Sequence, residues 1–187
     1  MIYFIRHGQT ELNKQKVLQG RSDYPLNEIG IAQAREAAER LRGIRFDAVY
    51  ASPLQRAVQT ARIVAPDAEP ILDDRLIEMD YGPYEGMGLE NPAPELLAFF
   101  RDFVRNPAPA GMEPLDCVVK RAGAFLESRC ACGGNILVST HAIALKGILE
   151  YLTPDSGGGY WNKNIGNCAV YTAEHLPDGG WSVPVLF

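Results

Sequence analysis

Met1-Ile2-Tyr3-Phe4-Ile5-Arg6-His7-Gly8 opens the chain. The apolar run is short and is broken at once by Arg6-His7-Gly8, so it reads as a buried strand that ends in a loop. The same pattern recurs along the sequence. Phe46 to Ala51 is a second strand, Glu69 to Leu72 a short third, and Asn135 to Ser139 a buried strand with His141 just past its end. Helical patterns separate them. Asn27 caps a helix to about Arg42, with Ile31, Ala34, Ala38 and Leu41 at spacings of three and four and Gly43 at its end. Ser52-Pro53 starts the next, Ser as N-cap and Pro at the first helical position, with Leu54, Ala57, Ala61 and Val64 inward. The pattern resumes from Leu115 to Arg129 and from Leu145 to Leu152. Gln9 to Pro25 reads as a long polar loop. Asn167 to Ala173 and Trp181 to Leu186 are the expected final strands, joined by the turn Pro177-Asp178-Gly179-Gly180. Strands alternating with helices predict an α/β fold, a mostly parallel sheet with helices on both faces.

Residues 83–114 depart from this pattern. Pro83, Pro92, Pro94, Pro107, Pro109 and Pro114 fall there and bound one amphipathic helix with Leu96, Leu97, Phe100, Phe103 and Val104. Such an insertion predicts a cap; the plainer expectation is a connecting helix. The chain has 187 residues, about one domain. The expected organisation is one domain over 1–187 with a cap insertion at about 83–114. Hydrophobic residues at 47% and charged residues at 22% exclude a disordered chain. A net charge of −5 argues against a nucleic-acid partner. No apolar run reaches the roughly 18 residues needed to span a membrane. The N-terminal run has no basic region before it and is too short for a signal peptide, which predicts a cytoplasmic location. Cys117, Cys130, Cys132 and Cys168 form no CxxC pair and suit reduced thiols. Cys130-Ala131-Cys132 reads as two inert thiols, and His175 as solvent-exposed in a turn. With three histidines in the chain, a multi-His metal site has little material.

Open α/β sheets bind ligands beyond the carboxyl ends of their strands. The first strand ends at Arg6-His7, and the second at Ser52 with Arg56 one turn further on. The third ends before Glu78, and the fourth at His141. Each residue alone has a bland reading: a solvated arginine, a surface glutamate, a hydrogen-bonded histidine. Together on one rim they fit a phosphoryl group. Two guanidiniums offer fork-shaped donors to its oxygens. A neutral imidazole is a nucleophile toward phosphorus, the second imidazole can donate to the transferred group, and a carboxyl group can protonate a leaving oxygen. The N-terminus of the helix opened by Ser52-Pro53 is expected to add partial positive charge.

Arg6-His7-Gly8-Gln9-Thr10 resembles the RHG motif of the histidine phosphatase superfamily, in its phosphoglycerate-mutase-like branch. The resemblance continues through Asn13, Gln19-Gly20-Arg21-Ser22-Asp23 and Pro25-Leu26, and through Ser52 to Ala61. It takes in Leu76-Ile77-Glu78, Gly82, Glu85-Gly86, Val138-Ser139-Thr140-His141 and Asn167-Cys168. It implies a three-layer α/β/α sandwich, a phosphohistidine intermediate, and neither metal nor other cofactor. It makes His7 the nucleophile and Glu78 the general acid and then base. Arg6, Asn13, Arg56 and His141 become the phosphate ligands, and Gln19, Gly20, Tyr81 and Ala142 the contacts to the rest of the substrate. The chain departs from the family pattern at Ala142, where glycine is frequent, and at Asn27, where threonine is common.

The superfamily divides mainly between mutases and phosphatases. The mutases use a long insertion, extra basic residues and a C-terminal tail over the site. Here the tail after His141 is short, the insertion carries Arg101 and Arg105 with no adjacent basic pair, and Leu89 falls where a mutase has lysine. Tyr81 does match a mutase tyrosine; otherwise it is a buried aromatic beside a turn. The expected activity is metal-independent hydrolysis of small phosphomonoesters. The alternatives are phosphoglycerate-mutase-type transfer or a non-catalytic phospholigand-binding module, with a homodimer left open.

Overall fold

The computed structural model describes residues 1–129, 133–177 and 179–187. The cysteine pair at 130 and 132 and Asp178 of the last turn lie outside them. Six strands form one sheet: β1 (Ile2–Arg6), β2 (Ala48–Ala51), β3 (Ile71–Leu72), β4 (Ile136–Thr140), β5 (Val170–Ala173) and β6 (Val185–Leu186). Their order is β3-β2-β4-β1-β5-β6. The pairings of β3 with β2, β2 with β4, and β4 with β1 are parallel. The β1–β5 and β5–β6 pairings are antiparallel.

Alternation along the strands separates two cores. Ile2 and Phe4 of β1 join Tyr50, Val138, Phe125 and Leu149 on one face. That face lies under α5 (Leu115–Glu127) and α6 (Ala142–Leu152). Tyr3 and Ile5 join Val49, Leu137, Ala34 and Ala61 on the other face, under α2 (Glu28–Arg40) and α3 (Gln55–Val64). The result is a three-layer α/β/α sandwich. Ala37, not Ala38, faces inward from α2 beside Ala34. The start of α2 sits directly on the loop after His7: a Cβ on Gly8 would lie 2.4 Å from the carbonyl oxygen of Gly30.

Within the loop expected at 9–25, Thr10 and Asn13 close a capping box around a short helix, α1 (Glu11–Lys14). In segment 83–114 the helix α4 (Pro94–Arg101) is shorter than its apolar pattern predicts. Leu96 and Phe99 are its buried positions, while Leu97 and Val104 are exposed. Phe103, past the helix end, completes the inner face. These residues pack on Met79, Tyr81, Val118, Ile143 and Trp161. The segment therefore lies beside the N-terminal turn of α6. The strand expected from Trp181 shrinks to β6, preceded by an isolated bridge between His175 and Trp181.

Candidate active site

Register brings the site together. Arg6 stands opposite Thr140, and Ala51 opposite Ser139, so β1 and β4 end level and β2 ends one residue short of them. The next residues, His7, His141 and Ser52, are then neighbours. The His7 N–H donates to the Thr140 carbonyl at 2.9 Å, and the Ser52 N–H to that of Ser139 at 3.0 Å. The imidazole centroids lie 5.1 Å apart, edge to face. Asn167 donates to the His7 carbonyl at 2.9 Å and pins the backbone from β5's side.

Arg56, on the first turn of α3, is wholly buried. Its Nε reaches His7 Nε2 at 3.3 Å and His141 Nδ1 at 3.1 Å. Its Nη1 and Nη2 donate to the carbonyls of Ser22 (2.8 Å) and Gly20 (2.6 Å). The Nδ1 of His7 lies 2.6 Å from the Gly8 carbonyl. A carbonyl accepts only, so Nδ1 carries the proton and the lone pair is on Nε2. Burial, then the charges of Arg56 and Arg6, hold His7 well below the ordinary histidine range. Burial, then Arg56, do the same to His141. Both rings are neutral. Since Nδ1 of His141 accepts from Arg56, its Nε2–H donates to Ser52 Oγ at 2.7 Å.

Two expectations are corrected here. Ser52 does not cap α3; its hydroxyl orients His141, and the helix begins later, at Gln55. The N-terminus of α3 does not face the rim as free positive charge either, because Asp23 accepts from the Gln55 N–H at 2.7 Å.

Glu78 is buried and accepts from the N–H groups of Met79 (2.9 Å), Ile143 (3.2 Å) and Ala144 (3.0 Å). Its carboxylate thus sits at the N-terminus of α6, one residue beyond Ala142, a favourable place for negative charge. Arg6 donates to the Ile165 carbonyl at 2.5 Å. Asn13 accepts from the Thr10 N–H at 3.2 Å, which leaves its NH₂ group as the donor end. Thr10 donates to the Gln19 side-chain oxygen at 2.6 Å. Three buried donors have no acceptor among the described residues: Nε of Arg6 and Nε2 of Gln19 here, and Nε of Arg129, whose guanidinium lies over the Tyr50 ring. Burial, then Glu78, pushes the Tyr81 hydroxyl well above its usual range, so it stays protonated. Its ring meets Phe100 at 6.2 Å. His175 is exposed and plays no part in the site.

Lys146 escaped the sequence reading. It is a buried amine on α6 that donates to the Trp161 carbonyl at 2.6 Å and lies 4.7 Å over the Phe103 ring. Burial pushes it down to about 8, with Glu78 opposing and Arg6 adding to the shift. The signal was there: Lys146 is the one charge inside Ile143 to Leu149.

Two neutral imidazoles, one buried and one half-buried guanidinium, and a carboxylate on one sheet rim define an enzyme that handles phosphoryl groups. Residues 2–186 match the model of the histidine phosphatase superfamily, branch 1. A phosphoserine phosphatase variant from Entamoeba histolytica, solved with phosphoserine, superposes with a TM-score of 0.82. It is 29% identical over 99% of this chain and 93% of its own. A 2,3-bisphosphoglycerate-dependent phosphoglycerate mutase of Methylobacterium sp. is 31% identical over 81% of this chain and 80% of that one. The fold is shared with a mycobacterial glucosyl-3-phosphoglycerate phosphatase (TM-score 0.83, 23% identity, 100% of this chain and 97% of that one). The chain belongs to the histidine phosphatase superfamily, and its class is that of the phosphoric monoester hydrolases.

Proposed function

We propose that the chain hydrolyses small phosphomonoesters through a phosphohistidine on His7, without a metal. The observation that carries this reading is the state of His7. Its ring is neutral, its Nδ1–H is tied to Gly8, and its Nε2 lone pair faces the Arg56 N–H. Buried polar groups without partners call for a ligand. The unpaired Nε of Arg6 and Nε2 of Gln19 suit the oxygens of a phosphoester.

In the first step Nε2 of His7 bonds to phosphorus as the ester P–O bond breaks. Glu78, which takes up a proton once the phosphoester is bound beside it, gives that proton to the leaving oxygen. In the second, water bonds to phosphorus, the N–P bond breaks, and Glu78 takes the water proton. Arg6, Arg56, Asn13 and His141 hold the phosphoryl oxygens. An arriving dianion draws the Arg56 N–H off His7 Nε2 and frees the nucleophile. It also favours a proton on Nδ1 of His141, enabling that ring to donate. Gln19, Gly20, Tyr81 and Ala142 meet the remainder of the substrate under a cap formed by segment 83–114.

Phosphoryl transfer between substrate positions is the second reading, favoured by the buried Tyr81 and the mutase relative. Against it, both arginines of the cap, Arg101 and Arg105, are exposed and offer no second phosphate site inside. With 3-phosphoglycerate and a trace of 2,3-bisphosphoglycerate, phosphate release supports hydrolysis, whereas isomer exchange without it supports the mutase. We place the activity in the cytoplasm, on small molecules rather than nucleic acid; sedimentation would test for a homodimer. The deciding experiment quenches the enzyme in alkali after mixing with a ³²P-labelled phosphomonoester in EDTA. Label on the His7 peptide, absent in His7→Ala along with nearly all turnover, is the expected result. Turnover that survives His7→Ala, or that EDTA abolishes, overturns the reading.

A further inference from the structure

Glu85 stands close to the site as a second carboxylate beside Glu78, and its hydrogen bonds show what it does. Its carboxylate accepts from the Gly20 N–H through both oxygens (2.9 and 3.1 Å), from the Ser22 N–H (3.1 Å), and from the Ser22 hydroxyl. The same two residues face Arg56 through their carbonyls. The carbonyls of Gly20 and Ser22 are the acceptors that hold Nη2 and Nη1. The alternating backbone therefore transmits the position of one side chain to the other.

We propose that Glu85 is a positioning residue for Arg56: it fixes the loop 20–22 so that two carbonyls set the guanidinium, and through its Nε the two imidazoles. The proposal rests on the reading of His7 and Arg56 given above.

Three observations support it. A Cβ on Gly20 would lie 2.7 Å from Glu85 Oε2 and 2.5 Å from the Met79 carbonyl, so the approach of the carboxylate requires glycine there. Backbone bonds between Leu18 and residues 86 and 87 (2.9 and 2.8 Å) anchor Glu85's own segment to the loop it holds. The third is electrostatic. An arginine paired directly with a carboxylate has its charge neutralised. One held by carbonyls keeps it for a phosphoryl group. Placing Glu85 on the N–H side of these residues gives Arg56 a fixed position without a direct ion pair.

The test is a double-mutant cycle on Glu85→Gln and Arg56→Lys. Glutamine keeps one acceptor but turns an NH₂ group toward the loop's donors. A displacement near 1 Å costs on the order of 100-fold, so Glu85→Gln should lower kcat for nitrophenyl phosphate by about that much. In the Arg56→Lys background, where no fork remains to be placed, the same change should cost less than about threefold. Equal losses in both backgrounds would overturn the proposal, because a general structural role is additive. Vanadate affinity measured by calorimetry gives the same cycle without turnover, so failure of the phosphohistidine reading leaves this result interpretable. Should Glu85→Gln fold poorly, Ser22→Ala removes one of the bonds alone. Its loss should be smaller and should vanish beside Arg56→Lys; persistence there overturns the proposal.

Discussion

The rim where β1, β2 and β4 end and the segment 83–114 beside it are held by different forces. On the rim, Arg56, His7, His141 and Glu78 are buried polar groups, each fixed by directional bonds near 3 Å to backbone or to one another. In the segment, Phe99 and Phe100 each meet Phe103 edge-on at 4.7 and 5.6 Å, tilt toward each other at 5.5 Å, and Phe103 stacks on Trp161 at 6.4 Å. Hydrogen bonds lose their value steeply with angle and distance, whereas aromatic packing tolerates repacking. On the proposed function, the rim would then set the chemistry, and the more yielding segment the choice of substrate.

The largest effect should come from the rim. Glu78→Gln keeps the shape but removes both proton transfers. For an alkyl phosphate, whose leaving oxygen is strongly basic, the first step should slow by roughly 10² to 10⁴. For nitrophenyl phosphate it should slow much less, and nitrophenol should appear in a burst as phospho-His7 accumulates. Equal slowing of both esters with no burst would assign the acid elsewhere; Glu85, occupied with the 20–22 loop, would not be the substitute.

A change in the segment should be milder and of another kind. Phe103→Leu removes a ring that meets Phe99, Trp161 and the Lys146 ammonium. Stability should fall by about 1–2 kcal/mol. The kcat for nitrophenyl phosphate should stay within about threefold, while KM values across a panel of esters reorder. A kcat loss as large as that of a rim variant would break the contrast.

The smallest effects concern protons. Both imidazoles titrate near 6.5 when unfolded and well below it when folded. Below pH 6.5 the unfolded chain binds protons that the folded chain does not, so stability is lost as pH falls through that range. Urea midpoints should drop between about pH 7 and pH 5, and drop less in His141→Gln. An identical drop in the variant would remove His141 from the account. Lys146 has the complementary window. Its folded value of about 8 lies under the unfolded 10.5, so the cost of burying its charge is relieved as pH rises between them. Lys146→Met should flatten that rise; a slope that persists in the variant assigns it to another group.

Much of this arrangement was legible in the sequence, because it depends on local signals. Apolar runs marked the parallel strands, although β4 extends one residue further, to Thr140, than the pattern implied. The strand-end rule brought Arg6, His7, Arg56, Glu78 and His141 to one rim. Non-local approach was not legible. Ser-Pro is a sound helix-start signal, but the hydroxyl of Ser52 goes to His141, 89 residues away. Helix-face spacing put Phe100 inward, yet within α4 Phe99 is the buried ring, because the tertiary partners Val118 and Trp161 choose the face. Arg56 alone reads as a solvated charge; only the carbonyls of Gly20 and Ser22, supplied by a distant loop, explain its burial.

The level ends of β1 and β4 carry one more consequence. Strand side chains alternate between faces, so a slip of one residue in β4 would move its whole apolar set to the opposite layer. Both layers here are apolar, which makes such a slip less costly than in a sheet with one wet face. A misregistered chain would keep its helices but carry His141 about 3.3 Å out of line with His7. Turnover per mole of compact protein is therefore a fidelity assay. It counts the fraction of molecules in which two strands 130 residues apart in the chain found each other in the one correct alignment.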